Sequence, residues 1–179
     1  CELEVPPEPW GIAEAGDRVL VTSAFGAAMT VFKGKDLELA DQMKLPREPR
    51  SVLVDPSGEV AYVSHAVGGV VSAIDLGKPS RLSKISVKAG SRQSSSGGLV
   101  PREATQGYAL AGVVVNGPKG GDEEWHLLAP NTSVDPGAAV DGISSSGYGA
   151  DIPVAPAISV IDPKTRSSLT DDVRFGETD

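Results

Sequence analysis

The sequence predicts an all-β fold built from repeated four-stranded antiparallel sheets. Residues 16–23 (GDRVLVTS) are repeated at 58–65 (GEVAYVSH), and the same offset of 42 residues places 29–32 (MTVF) on 71–74 (VSAI). Each copy contains a Gly turn, a β-rich strand, a small-residue turn and a second β-rich strand. Only 4% of the residues are aromatic, and 21 Gly and 14 Pro suit short strands joined by tight turns. A period of about 40–45 residues with several strands per unit is typical of β-propeller blades.

The first blade is predicted over residues 9–45, after a polar, Pro-rich N-terminal arm at 1–8. β-Branched and aromatic side chains bounded by Gly and charged residues indicate its four strands. These strands are expected at 10–13, 18–23, 29–32 and 39–44.

A second blade is predicted over residues 49–87. Its first two strands are separated by Asp55-Pro56-Ser57-Gly58, where Asp bonds its own backbone, Pro fixes φ and Gly takes the left-handed conformation. Gly68-Gly69 predicts the next hairpin. The four strands are expected at 51–54, 60–64, 70–74 and 82–87.

The regular repeat then breaks. Residues 90–103 are rich in Ser and Gly and are predicted as an exposed loop. A third blade is predicted over 104–170, interrupted by an insertion at 130–156 that is rich in Gly, Ser, Asp and Pro. Loops of this length are often functional. The remaining strands are expected at 106–111 or 112–115, at 125–129 and at 157–161, while 167–179 either begins a fourth strand or trails off.

The charge balance excludes several classes of partner. The net charge is −8 at pH 7 and the sequence pI is about 4.8. A surface this acidic repels nucleic-acid phosphates and anionic lipid headgroups, so neither is an expected partner. The sequence contains no run of 18 apolar residues, and no transmembrane segment is therefore predicted.

The single cysteine, Cys1, excludes an internal disulfide and any CxxC motif within these residues. Its position resembles that of the lipidated first residue of a mature bacterial lipoprotein. In this interpretation the residues that follow tether the domain to a membrane. The alternative is that the sequence starts at a proteolytic or cloning boundary.

Four segments resemble bacterial YVTN-type propeller repeats. They are 49–51 (PRS), 55–58 (DPSG), 61–65 (AYVSH) and 71–75 (VSAID), and the signature tetrapeptide is present as Ala61-Tyr62-Val63-Ser64. The resemblance extends over residues 9–75 and, more loosely, over 104–166. The insertion before Ile158-Ser159-Val160-Ile161-Asp162 is also similar to a subgroup of extracytoplasmic propellers that often carry c-type cytochrome or peroxidase-like domains.

This resemblance implies an extracytoplasmic location, in the periplasm or at the cell surface, and a ring that usually has seven blades. Since about three blades are predicted here, the chain is expected to form an incomplete arc. An open arc exposes an unpaired strand edge and an apolar sheet face on each side. A second polypeptide, or the remainder of the same protein, is therefore expected to complete the ring. No CxxCH motif occurs, so any haem would lie on that missing portion.

Few residues suggest chemistry. His65 is expected at a strand end near the central channel, where a solvent-facing imidazole could bind a metal together with Asp135 and Asp141, or could instead be a loop histidine satisfied by the backbone. With Asp151 and Asn131 added, the same carboxylates could instead bind calcium. The sequence Asp135-Pro136-Gly137 is, however, more typical of a turn than of a calcium-binding loop. His126, inside a strand beside a tryptophan, is predicted to pack or to face solvent.

The predicted function is that of a binding and scaffolding module that presents loops, above all 130–156. No nucleophile elbow or phosphate-binding loop is present, so this chain alone is not predicted to be an enzyme. One alternative is part of a propeller-containing haem oxidoreductase. The other is a lactonase-like hydrolase, which would need a cluster of carboxylate, histidine and arginine side chains at the channel. Arg50 and His65 are weak candidates for two members of that cluster. The aromatic residues Trp10, Tyr62, Tyr108 and Trp125 are predicted mainly to pack between blades.

Overall fold

The computed structural model describes residues 2–77, 81–88, 91–93, 99–117, 121–134, 154–169 and 173–174. Two complete four-stranded antiparallel sheets come first, each with its strands in chain order. The first blade comprises β1 (Pro9–Ala15), β2 (Arg18–Ser23), β3 (Ala28–Lys33) and β4 (Glu38–Lys44). The second comprises β5 (Pro49–Val54), β6 (Val60–His65), β7 (Val70–Asp75) and β8 (Leu82–Ser86).

The turn between β5 and β6 adopts the conformation that its sequence predicts. Gly58 has a φ of +75° and donates its N–H to the carbonyl of Asp55 at 3.0 Å. The Asp55 carboxylate accepts the backbone N–H groups of Glu59 at 3.0 Å and Val60 at 2.8 Å. This side chain therefore replaces the ladder partners that the chain loses as it reverses direction.

The two blades pack face to face. β1 and β2 of the first blade both contact β5 of the second, as expected for first strands that lie nearest a propeller axis. The shared core is formed by Ala15, Leu20, Met29 and Val31 from the first blade and by Val52, Ala61, Val63 and Ile74 from the second. Stacked four-stranded antiparallel sheets in chain order confirm the predicted all-β, propeller-type fold.

A third sheet packs on the other face of the second blade. Its strands are β11 (Glu103–Thr105), β12 (Ala111–Gly117), β13 (Gly121–Val134), β14 (Val154–Asp162), β15 (Ser167–Ser168) and β16 (Val173–Arg174), and a separate pair is formed by β9 (Ser91–Gln93) and β10 (Leu99–Pro101). The second core contains Tyr62, Val71, Ala73 and Ile85 from the second blade and Leu127, Ala129 and Ile161 from the third sheet.

The limits predicted for the insertion differ from those in the structure. β13 continues through Pro130 to Val134 and β14 begins at Val154, so both ends of the predicted segment 130–156 are strand. A proline is tolerated within β13 because its position falls between the pairing of β12, which ends at Leu128, and that of β11, which begins at Thr132. Residues 135–153 lie outside the described residues.

Two further segments predicted without regular structure make backbone contacts. Within 90–103, the short strands β9 and β10 pair antiparallel and β11 begins at Glu103. The N-terminal arm lies against the first blade, since Ala24 and Gly26 donate their N–H groups to the carbonyls of Glu8 (2.8 Å) and Pro7 (3.2 Å). The described part of the chain contains no helix that could span a membrane.

Candidate functional site

Three residues share an unusual backbone conformation: Glu8 and Glu48 directly precede β1 and β5, and Gln106 lies between β11 and β12. Glu8, Glu48 and Gln106 have positive φ angles of 60°, 53° and 57°, a region that non-glycine residues rarely adopt. The carbonyls of Glu8 and Glu48 accept the N–H groups of Ala24 (2.8 Å) and Ala66 (2.9 Å), which follow the second strands. The chain therefore makes the same bend as it enters the first two blades, and Gln106 has a similar φ between β11 and β12.

This bend brings three side chains together, because Trp10, Arg50 and Tyr108 each stand two residues after it. The Arg50 guanidinium carbon lies 4.1 Å from the centre of the Trp10 ring and 5.8 Å from that of Tyr108. The two ring centres are 6.5 Å apart with their planes inclined by 31°. Trp10 is 52% exposed and Tyr108 is 48% exposed, so the rings contribute aromatic surface to solvent around a cation. We call these three residues the aromatic–arginine cluster.

Two carboxylates neutralise the cation of the cluster. Arg50 Nη2 lies 2.6 Å from Glu48 Oε2, and Nη1 lies 3.5 Å from Glu8 Oε1. The Arg50 side chain is only 11% exposed, so both pairs are partly shielded from water. Within the described residues, Arg50 Nε and Glu8 Oε2 are buried without a hydrogen-bond partner. The cluster and its carboxylate partner Glu8 thus have one hydrogen-bond donor and one acceptor that the described residues leave unused.

Gly11 permits the close approach of the first two blades beneath the cluster. A Cβ atom at this position would lie 2.5 Å from the Arg50 carbonyl oxygen and 2.8 Å from Thr22 Oγ1. The Thr22 hydroxyl accepts the Gly11 N–H at 2.9 Å and donates to the Arg50 carbonyl, which links β1, β2 and β5. The absence of a side chain at Gly11 therefore helps to set the position of Arg50.

The cluster lies at the same end of the sheets as the stem of the insertion. In an antiparallel meander the start of the first strand and the turn between the second and third strands lie at one end. In the third sheet the corresponding strand ends are Val134 and Val154, which pair with each other. Beside them, Thr132 Oγ1 donates to Gln106 Oε1 at 3.0 Å, two residues before Tyr108.

His65 is buried, so its ring does not face solvent as the metal-binding alternative supposed. Nδ1 lies 3.0 Å from the Arg47 carbonyl and Nε2 lies 2.9 Å from Ser72 Oγ. Burial lowers the pKa of His65 below its ordinary value, and the nearby backbone carbonyl offsets this in part. The ring fixes the connection that leads to Glu48 and Arg50, which agrees with the alternative of a histidine satisfied by the backbone.

The metal site stays a prediction. Asp135, Asp141 and Asp151 lie outside the described residues, and so does the proposed lipidation site, Cys1. Among the residues that the structure describes, no three His, Cys, Asp or Glu side chains form a group that could hold a metal ion. Asn131 is buried and donates its amide to Ala129 O (3.0 Å) and Ser159 Oγ (3.1 Å).

The other predicted residues have separate surroundings. His126 Nε2 lies 3.9 Å from Glu124 Oε2 on a mostly buried ring. His65 and Arg50 bind different partners, so the contacts described above do not join them in the cluster that a lactonase-like hydrolase would need. Asp75 and Asp162 each accept the backbone N–H two residues further on, at 3.0 and 2.8 Å, so both carboxylates stabilise turns.

Sequence reasoning missed the aromatic–arginine cluster. Tyr62 and Trp125 do pack between sheets as predicted, with ring centres 5.8 Å apart. Trp10 and Arg50 are 40 residues apart rather than 42, because the connection between the first two strands of the second blade is two residues longer than that in the first. The shared sequence Glu-Pro at 8–9 and 48–49 is the signal that could have aligned them.

Comparison with known proteins yields similarity at the level of fold. No protein-family model matches the chain, and no curated protein does. The chain is similar to the solved structure of Kuenenia stuttgartiensis hydrazine synthase, with 15% identity and a TM-score of 0.44 over 99% of this chain and 52% of that one. It is also similar to dihydro-heme d1 dehydrogenase NirN in complex with DHE, with 16% identity and a TM-score of 0.44 over 91% and 46% of the two chains. The chain thus spans about half the length of these two solved chains, and similarity at this level carries no information on its ligands or activity.

Proposed function

We propose that this chain is a propeller-type binding module that engages a protein partner at the end bearing the aromatic–arginine cluster. The observation that carries the proposal is the convergence of Trp10, Arg50 and Tyr108 from three successive sheets, with two half-exposed rings around a fixed guanidinium. Tryptophan, tyrosine and arginine are the residue types most enriched where protein interfaces hold their binding energy.

The rigidity of the cluster supports the same function. Arg50 is held by two carboxylates and by ring contacts, and the backbone beneath it is fixed through Gly11 and Thr22. A side chain that is ordered before binding loses little conformational entropy in the complex. The insertion stem at Val134 and Val154 lies at the same end, where residues between the two strands could add contacts.

Affinity capture with matched variants tests the proposal. The purified chain would be immobilised and exposed to an envelope extract of its source cells, and bound proteins would be quantified by mass spectrometry. We expect Trp10→Ala combined with Tyr108→Ala to reduce retention of the specific partner about tenfold or more. Leu169→Ala is the matched control, because Leu169 is a half-exposed apolar residue that follows β15, away from the end that bears the cluster. Equal retention by the cluster variant and the wild-type chain would contradict the proposal.

A second arm tests the insertion separately. Replacing residues 135–153 with a short Gly-Ser linker leaves β13 and β14 intact, whereas a deletion from residue 131 would remove paired strand residues. We expect reduced capture if the insertion contributes contacts. Unchanged capture would restrict the interface to the aromatic–arginine cluster.

We also propose an extracytoplasmic location for the module and a YVTN-type assignment for its repeat. Support comes from the sequence resemblance at 49–75 and, for a lipid anchor, from Cys1. Fractionation of source cells, with mass spectrometry of the N-terminal peptide, tests both statements. A cytoplasmic protein whose Cys1 is internal to a longer chain would contradict the anchor and the location together.

A further inference from the structure

The first blade carries an apolar face whose equivalent in the second blade is covered. This face, which we call the upstream face, takes one side chain from each strand: Ile12, Val21, Phe32 and Leu39. Ile12 is 72% exposed and Leu39 is 63% exposed, whereas Phe32 between them is buried. Large exposed aliphatic side chains on a sheet face commonly mark an interaction surface.

The strand pairing assigns each residue of this face to a counterpart in the second blade. Ile12 pairs with Val21 as Val52 pairs with Val63, and Val21 and Val63 are related by the 42-residue offset. Ile12 and Val52 therefore occupy the same position. Val52 is 7% exposed and belongs to the core between the two blades.

The outermost strands agree with this assignment. Leu39 pairs with Phe32 as Leu82 pairs with Ile74, and Phe32 and Ile74 are again 42 residues apart. Ile74 is fully buried in the core between the blades and Leu82 packs against it. Ile12 and Leu39 thus occupy the positions at which the second blade, through Val52 and Leu82, packs against the first blade.

We propose that the upstream face is an interface for another four-stranded blade, supplied by polypeptide outside residues 1–179. The chemistry of the occupant can be stated from the sheet that covers the second blade. That sheet contributes small side chains from its first strand and larger aliphatic ones from the others, namely Ala13 and Ala15 with Leu20, Met29, Val31 and Met43. This proposed interface is separate from the end that bears the aromatic–arginine cluster. It concerns how the fold continues, and it does not depend on the proposed function.

The width of the face distinguishes this occupant from a second copy of the chain. Leu39 lies on the fourth strand, so an occupant must extend across four strands to cover it. Within the described residues, the third sheet pairs beyond β14 through β15 and β16, which form two ladder pairs each. A second copy offering its third sheet would therefore cover the outer strand poorly.

Site-specific photo-cross-linking in the source cells tests this proposal. p-Benzoylphenylalanine would replace Ile12 or Leu39 in the intact protein. We expect cross-links to a segment outside these 179 residues whose sequence contains four β-strands. The same probe at Leu53, which packs against the third sheet, should cross-link within the chain, and a probe at the exposed Lys35 should give neither product.

Two outcomes would overturn the proposal. Cross-links from position 12 or 39 to residues 111–168 of a second copy would identify a homo-oligomer instead. The absence of any cross-link, with both positions still open to chemical labelling in the native assembly, would show that the face stays exposed. Ile12→Asp should leave the isolated chain folded but abolish the cross-link from a probe at position 39, whereas Val52→Asp should unfold the isolated chain.

Discussion

The Arg50 guanidinium lies 4.1 Å from the centre of the Trp10 ring, although the two residues enter the fold on different sheets. Glu48 and Glu8 form ion pairs with the terminal nitrogens of the same guanidinium. The contact is possible because both residues follow the same backbone bend, at Glu8 and at Glu48. The first two blades are therefore joined at this end by a cation–π contact as well as by their apolar core.

Arg50→Lys should weaken this junction. An ammonium cannot bind two carboxylates through a planar fork and stack on Trp10 at the same time. We expect the free energy of unfolding, measured by urea denaturation, to fall by about 1–2 kcal/mol. The control is Lys33→Met, because the ion pair of Lys33 with Asp17 is 3.7 Å long and more than half exposed. That change should cost no more than about 0.5 kcal/mol, and equal losses in the two variants would argue against a special role for Arg50.

Gly11→Ala should separate the first two blades. The added Cβ would meet the Arg50 carbonyl at 2.5 Å, and backbone atoms cannot move aside as a flexible side chain can. We expect a loss of about 1–3 kcal/mol in unfolding free energy, with a change in the fluorescence of Trp10. Gly77→Ala is the control, since its Cβ would meet only Asp75 Oδ1, at 3.3 Å. A Gly11 variant as stable as the Gly77 variant would contradict the close approach described here.

Asp55→Ala should destabilise the second blade. Its carboxylate accepts two backbone N–H groups, from Glu59 and Val60, that would otherwise lack these partners. We expect a loss of about 1–2 kcal/mol, part of which Asp55→Asn should restore because an amide oxygen can still accept. Thermal denaturation of the three proteins provides the comparison. If the Asn variant were no more stable than the Ala variant, the charge rather than the acceptor would be responsible.

The stability of the fold should depend on pH through His65. Burial lowers the pKa of His65 below the value near 6.5 that it has when unfolded. Below that pH the unfolded chain therefore binds a proton that the folded chain does not. The contribution is fully present above about pH 6.5 and is lost as the pH falls through the lowered pKa.

Urea denaturation between pH 7.5 and pH 5 measures this dependence. Wild-type stability should fall over the interval, and His65→Gln should reduce the slope while lowering stability at pH 7.5, since its amide cannot reproduce both ring contacts. An unchanged slope in the variant would assign the pH dependence to other groups.

The repeat allowed the first two blades to be predicted closely. The strand predicted at 18–23 coincides with β2, and the turn at Asp55–Gly58 has the predicted geometry, because the strand pattern and the turn residues reinforce each other there. The third sheet was predicted less well. Pro130 has the sequence character of a loop, but it lies within β13 at a point where no inner strand needs its N–H.

The candidate site was harder to predict than the fold. The cluster is assembled from β1, β5 and the segment between β11 and β12, so it depends on how far the chain advances between sheets. The connection between the first two strands is two residues longer in the second blade, and a fixed offset of 42 residues therefore does not align Trp10 with Arg50. His65 was a candidate metal ligand in the sequence, but the structure places its ring in the interior. Its burial follows from contacts with Arg47 and Ser72 that a strand pattern alone does not reveal.

The paired strands β13 and β14 extend as a ridge at the end that bears the aromatic–arginine cluster. Beyond Asn131 it continues for three more paired positions, to Val134 and Val154, a rise of about 10 Å at the spacing of an extended chain. β11 thickens this ridge on one flank. The partner that we propose would therefore meet this ridge on the side of the third sheet as it contacts Tyr108. On the side of the first blade, the half-exposed Trp10 ring has no such ridge beside it among the described residues, so approach from the first blade is favoured.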